Sequence, residues 1–371
     1  MKEILVLSHT RGDSVYKIGS HHYANGLSEK NYNITYIGIP YTVIHRLLKK
    51  DFGGERQLVN SVNEIKLNTL LPITLDYNSL LIAINKFYDY LYGFFRLRNR
   101  KNKFDVIICD YPYFEPYLSI FDYSMLVYRP TDNYISMSGE SVIPYEEKLI
   151  NRSDLIVATS QNVLDNLETK YKISNSDSYV ISNGFDDKHF YFNETIEKKG
   201  AVYIGAIDYR FDLDGLQILA ENFPEDKFHI YGPISKDLIK RAEEISSIYS
   251  NVKFYGKISY NKTPEVLQKA AVGLLLLNDH ESNIGRSPMK LWEYASSGLN
   301  IVFSRVEIDS SDLLCLYKYE TQADLINKYF EARSQEFSKE DLNKVKAYSW
   351  RNKVDKINSI IENKSIMKKA C

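Results

Sequence analysis

Apolar residues fall in short runs along this chain, each followed by a polar break carrying glycine, proline or serine. Glu3–Ser8, Ile34–Ile39, Phe104–Cys109, Met125–Tyr128, Leu155–Thr159 and Tyr179–Ile181 form one series. Gly200–Ile204, Lys227–Tyr231, Val252–Tyr255, Val272–Leu277 and Asn300–Ser304 form a second. Runs without an apolar–polar alternation fit strands covered on both faces. The segments between them, among them Ser20–Glu29, Pro144–Arg152 and Ser287–Gly298, read as helices. Strands alternating with helices of about a dozen residues predict an α/β chain with two parallel, doubly wound sheets. The junction falls at the turn Asn183-Gly184-Phe185-Asp186, and a last helix, Lys339–Asn363, can cap either half.

The most informative unit is Gly273–Phe303, which reads as strand, polar loop, helix, glycine stop and strand. Ser287 is placed as the helix N-cap with Pro288 in the first turn, and Gly298 as the stop. A helix N-terminus beyond the carboxyl end of a parallel strand is a phosphate-binding position. Lys290 lies in the first turn and Glu293 one turn on, along the same face. Together they suit a nucleoside diphosphate, ammonium to phosphate and carboxylate to ribose hydroxyls. An ordinary i,i+3 salt bridge is the competing reading.

Other candidates lie at strand ends. Gly205, after Gly200–Ile204, lets backbone approach phosphate, and Arg210 can clamp a diphosphate or a uronate carboxylate, or else pair with Asp208 or Asp212. Asp212 and Asp214 read as acids at a helix N-terminus. Asp132 follows Met125–Tyr128 through Arg129-Pro130-Thr131, where a carboxylate can serve as general base or close an Asx turn or helix cap. Asp110 is a second candidate base. Gly19 allows a ligand close to the first loop, and one of His21 and His22 is expected to face the cleft and its acceptor, the other to be structural. Adjacent helical histidines point about 100° apart and rarely share an ion, so no metal site is expected. Glu281 either faces the sugar or is a solvated loop residue.

Composition narrows the partners. A net charge of -1 over 371 residues gives no reason to expect nucleic acid. Cys109, Cys315 and Cys371 have no metal spacing and imply a reducing compartment, and the apolar run after Met1 is too short for a signal peptide. Locally, Lys86–Lys103 joins aromatic residues, Phe94 and Phe95 among them, to the cations Arg96, Arg98 and Arg100. That pattern fits an interfacial helix on anionic lipid, against the alternative of a core helix with a charged end.

Over nearly its whole length the chain resembles the GT-B glycosyltransferases. The Asn183–Asp186 turn is similar to their hinge, Ser287–Gly298 to their nucleotide-sugar helix, and Tyr348-Ser349-Trp350 to the helix that crosses back to the first domain. Gly19-Ser20-His21-His22-Tyr23-Ala24 and Met289-Lys290-x-x-Glu293 are similar to the membrane-associated glucuronosyltransferases of xanthan-type polysaccharide assembly. The resemblance implies two Rossmann-like domains facing across a cleft: residues 1–184 with 345–371 for the acceptor, and 185–344 for the donor. It implies a nucleotide-sugar donor, UDP-linked, held at Met289, Lys290 and Glu293, and a lipid-linked or oligosaccharide acceptor. It further implies an inverting mechanism with Asp132 as base, no cofactor, and a cytoplasmic location on the inner face of the cell membrane. Glu293 stands where those glucuronosyltransferases have glutamine, and Gly285 where a retaining family has the first of two glutamates. A retaining enzyme and a catalytically silent scaffold that binds a partner are the alternatives.

Overall fold

The computed structural model describes residues 1–14, 16–43, 54–74, 79–92, 103–171, 173, 177–284, 286–306, 308 and 312–370. The chain divides into two compact units, Met1–Ile181 with Val354–Cys371, and Ser182–Lys353.

The first unit is built on a seven-stranded parallel sheet. Its strands are β1 (Glu3–Leu7), β2 (Asn33–Ile37), β4 (Asn63–Glu64), β6 (Lys103–Cys109), β7 (Asp122–Tyr128), β8 (Leu155–Ala158) and β9 (Asp177–Val180), in the order β4-β2-β1-β6-β7-β8-β9. Two further short strands, β3 (Tyr41–Thr42) and β5 (Asn68–Thr69), pair with each other. The central strands are buried on both faces: Ile4, Leu5, Leu7, Ile107, Leu126 and Ile156 are fully covered. Helices α1 (Gly19–Ser28), α2 (Ser79–Tyr92), α3 (Tyr134–Ser138), α4 (Ile143–Arg152) and α5 (Gln161–Lys170) complete the crossovers. Register is tight at the carboxyl edge, where Leu7 lies opposite Cys109 and Cys109 opposite Tyr128. Residues just beyond these three therefore cluster.

The second unit repeats the plan with six parallel strands: β10 (Ala201–Ile204), β11 (Phe228–Tyr231), β12 (Val252–Gly256), β13 (Val272–Leu275), β14 (Asn300–Phe303) and β15 (Leu316–Lys318). Their order is β12-β11-β10-β13-β14-β15. Its helices are α6 (Leu213–Asn222), α7 (Ile239–Ile248), α8 (Thr263–Leu267), α9 (Met289–Ser296), α10 (Gln322–Ser334) and α11 (Lys339–Val345). Asp212 caps α6 by accepting the Gly215 N–H at 2.8 Å, the helix-terminal role expected of it.

Helix α12 (Trp350–Ala370) ends the chain. From Val354 onward it belongs to the first unit, while residues 345–353 belong to the second, so the returning segment starts later than the sequence suggested. It is fixed to the first sheet's surroundings by Lys364 to Asp177 (2.8 Å), Lys2 to Glu362 (2.6 Å) and Tyr32 to Asn358 (2.6 Å). The Asn183–Asp186 turn is held within the second unit. Phe185 N–H donates to the Tyr348 carbonyl (3.2 Å) and Trp350 N–H to the Phe185 carbonyl (2.8 Å). A Cβ on Gly184 would stand 2.5 Å from that Tyr348 oxygen, which accounts for glycine there.

Candidate active site

In the second unit, Gly205 directly follows β10 and donates its N–H to the Tyr231 carbonyl at 2.8 Å. A Cβ there would meet both the Lys290 Nζ and the Tyr203 hydroxyl at 2.7 Å, so the missing side chain is the space the ammonium fills. Gly232, at the end of β11, has φ +143, and a Cβ on it would lie 1.6 Å from the Gly205 carbonyl oxygen. Sequence reading passed over this second glycine, because only the pairing of β10 with β11 brings the two together.

The loops beyond β10 and β13 are stitched into one wall. Asn278 N–H donates to the Arg210 carbonyl (3.0 Å), and the buried Asn283 amide donates to the same carbonyl (3.0 Å) and to Asn278 (3.1 Å). Helix α9 follows. Its N-cap is Pro288, without a side-chain cap and with no acidic residue in the first turn. Ser287, expected to be the cap, instead accepts the Asn183 N–H on its hydroxyl (3.1 Å), while the Asn183 amide donates to the Ser287 carbonyl (2.8 Å). The helix start is thus anchored to the Asn183 turn and its first N–H groups carry no capping side chain, the arrangement that receives an anion. Gly298, at φ +76, follows its last turn as expected.

Lys290 and Glu293 are half-buried on α9, and neither side chain has a hydrogen bond or ion pair among the described residues. The i,i+3 salt bridge is therefore not formed. Burial pushes the Lys290 ammonium down to about 8, with Arg286 and Arg210 adding to the fall and Glu293 opposing it. Burial lifts the Glu293 carboxyl to about 7, against the pull of Lys290 and with help from Asp186. Met289, the first residue of α9, is half-buried beside them. Arg210 takes its plainer reading: its fork closes on Asp208 at 2.9 and 2.5 Å. Glu281 is exposed in the single 3-10 turn Glu281–Asn283, the solvated alternative.

In the first unit, Gly19 opens α1. His21 is fully buried, with Nδ1 accepting the Ile18 N–H (3.1 Å) and Nε2 donating to the Arg11 carbonyl (2.9 Å). Burial pushes it down to about 4, so it is a neutral structural clasp with no nitrogen left for an acceptor. His22 is also buried, at 7% exposure. Asp110 is fully buried and bound by both arms of Arg129 at 2.9 and 2.6 Å, which removes it as a base. Asp132 differs. The cap of α3 is Asn133, which accepts the Ile135 and Ser136 N–H groups, so Asp132 is not engaged there. Its carboxylate is half-buried and accepts only the Thr131 hydroxyl, at 3.1 Å, among the described residues. His9 is a further group that sequence reading missed. It follows β1, its ring lies 6.1 Å from Tyr111, and its Nδ1 is buried without a hydrogen-bond partner.

Phe94, Phe95, Arg96, Arg98 and Arg100, like Gly285, lie outside the described residues. Among the described residues, no group of three or more His, Cys, Asp or Glu side chains is gathered as metal ligands, and no helix is long and apolar enough to cross a membrane.

The Glycosyltransferase Family 4 model matches residues 77–189. No curated protein matches the chain. Among solved structures, the sucrose-phosphate synthase of Thermosynechococcus elongatus is similar over 98% of this chain and 99% of its own, with a TM-score of 0.68 and 15% identity. HepE of Anabaena, solved with UDP and glucose, is similar over 98% and 100%, at 0.65 and 13%. The lipopolysaccharide outer core galactosyltransferase WaaB is similar over 97% and 99%, at 0.62 and 15%. The chain thus has the GT-B glycosyltransferase fold from end to end, and the stretch that matches the Glycosyltransferase Family 4 model runs through its first unit into the start of its second.

Proposed function

We propose that this protein is a glycosyltransferase that moves a sugar from a UDP-linked donor to a lipid-linked or oligosaccharide acceptor in bacterial surface polysaccharide synthesis. The observation that carries the reading is α9. An ammonium and a carboxylate one turn apart, both half-buried and both without a side-chain hydrogen bond or ion pair among the described residues, stand at an uncapped helix N-terminus beside Gly205. Phosphate oxygens suit the ammonium and helix N–H groups, and sugar hydroxyls suit the carboxylate. The UDP and glucose bound by HepE support this choice of donor by likeness of fold.

In this reading the first unit holds the acceptor, and Asp132 removes its hydroxyl proton as that oxygen attacks the anomeric carbon and the nucleoside diphosphate departs. A carboxylate without an ion pair fits that task; the buried Asp110 does not. The reaction needs no cofactor. Membrane attachment is supported by α2, where Leu80 and Phe87, two turns apart, are 65% and 61% exposed just ahead of the basic segment. The enzyme works from the cytoplasmic face of an anionic membrane.

The test is a thermal-shift screen of nucleoside diphosphates and nucleotide-sugars, followed by transfer assays. UDP is expected to raise the melting temperature of wild type and not of Lys290→Ala. No shift with any nucleotide at millimolar concentration sinks the donor reading and leaves the silent scaffold. A product of inverted anomeric configuration is expected; a retained one removes Asp132 as base. Liposome flotation, with Arg96, Arg98 and Arg100 neutralised as the comparison, tests the membrane surface.

A further inference from the structure

Three cations lie within electrostatic reach of one another near the start of α9, where Arg286 and Arg210 both act on Lys290. Arg210 has both arms of its fork on Asp208. Arg286 is half-buried and has no side-chain hydrogen bond or ion pair among the described residues. Its place is fixed by its backbone, which bridges to Val306, and by the next residue, Ser287, which is tied to Asn183. The guanidinium is close enough to be felt on both sides: its charge lowers the pKa of Lys290 and also that of Asp208. Asp208 is already neutralised by Arg210. The other carboxyl acting on Lys290, Glu293, lies a turn further along α9 and ionises only around neutrality.

The result is an ammonium and a guanidinium within electrostatic reach of each other, partly out of water, with no carboxylate bound to either among the described residues. Like charges so placed repel. An anion with several oxygens removes that repulsion, and a planar guanidinium can take two of them at once.

We propose that Arg286, rather than Arg210, is the guanidinium that clamps the departing diphosphate, with Lys290 as the point charge beside it and Arg210 serving to hold Asp208 and its loop. This rests on the nucleotide-sugar reading above. In the transfer step the acceptor oxygen bonds to the anomeric carbon while its proton passes to Asp132. The bond from that carbon to the terminal phosphate oxygen breaks, and its electron pair stays on the phosphate. The diphosphate gains one negative charge at that moment, and groups already aimed at it lower the barrier.

The experiment measures binding of UDP and of uridine, by calorimetry, to wild type, Arg286→Ala, Arg286→Lys and Arg210→Ala. Arg286→Ala is expected to weaken UDP by about tenfold or more, with uridine unchanged, because only the diphosphate contact is lost. Arg286→Lys restores part of the loss, since a charge remains without the fork. Arg210→Ala costs less UDP affinity than Arg286→Ala. In transfer assays Arg286→Ala lowers kcat as well as raising KM. Equal UDP affinity for wild type and Arg286→Ala, or a larger loss with Arg210→Ala, overturns the assignment. If wild type binds no nucleoside diphosphate, the donor reading itself fails, which is a different result from a variant that merely matches wild type. Should Arg286→Ala fold poorly, Arg286→Gln keeps a polar side chain without the charged fork and gives the same comparison.

Discussion

The carboxyl edges of the two sheets treat charge in opposite ways. In the first unit, Asp110 and Arg129 are buried against each other with their bonds closed, and His21 has both nitrogens engaged by backbone. In the second, Lys290, Glu293 and Arg286 are half-buried and open. A closed buried pair fixes a fold, since removing one partner strands the other. An open set is held at a cost to stability and completed by a ligand. The difference explains why charged residues beyond the carboxyl edges of two similar sheets deserve different roles.

The strongest way to break the comparison is Asp110→Ala. It leaves the Arg129 guanidinium buried and unpaired, with an expected loss of about 3–5 kcal/mol, read by denaturant unfolding. A variant as stable as wild type would mean that the first edge is no more closed than the second. Next comes Lys290→Ala. Transfer, as kcat/KM, is expected to fall by about 10²–10³, the range for removing one aimed donor, with no loss of melting temperature.

The pH dependence sharpens the picture further. Free Lys290 loses its proton at about 8, so above that pH an anion must bind a neutral amine or wait for protonation. UDP affinity is expected to fall by about tenfold per pH unit there, and Lys290→Met to abolish that limb. The smallest effect concerns stability. The folded Glu293 pKa of about 7 lies above its ordinary value, so its contribution is full below the ordinary carboxyl range and is lost as pH rises through 7. At pH 8 the carboxylate is therefore a burden on the fold. Glu293→Gln is expected to raise the melting temperature by about 2–4 °C at that pH and by less at pH 5. A lower melting temperature at pH 8 would show that the carboxylate has a stabilising partner.

Much of the fold was legible because unbroken apolar runs and glycine stops are local signals. The strands from Glu3–Leu7 to Asn300–Phe303 fall where the runs lie, and the helix around Lys290 where its stop signal puts it. Short edge elements without such runs, such as Asn63–Glu64 and Leu316–Lys318, were not legible, since pairing with a neighbour defines them. The site was legible by residue type and not by partner. Ser287 has the chemistry of an N-cap, but a residue more than a hundred positions earlier claims its hydroxyl. Sequence reading singles out Arg210 as the clamp and passes over Arg286, and only the structure distinguishes the paired fork from the unpaired one. His21 looked like a possible ligand-facing group because the loop that supplies the Arg11 carbonyl cannot be foreseen from spacing.

The returning segment of α12 has a consequence for how the chain is made. The first unit needs Val354–Cys371, which is synthesised after the whole of the second, whereas Ser182–Lys353 is continuous. At roughly 5–20 residues per second, a ribosome spends about 10–35 s on the intervening stretch of roughly 170 residues. During that interval the partner groups of Lys2 and Tyr32 on that segment do not yet exist. Of the two units, the one that begins first is therefore finished later, and Ser182–Lys353 can be complete while the first unit still lacks its share of α12.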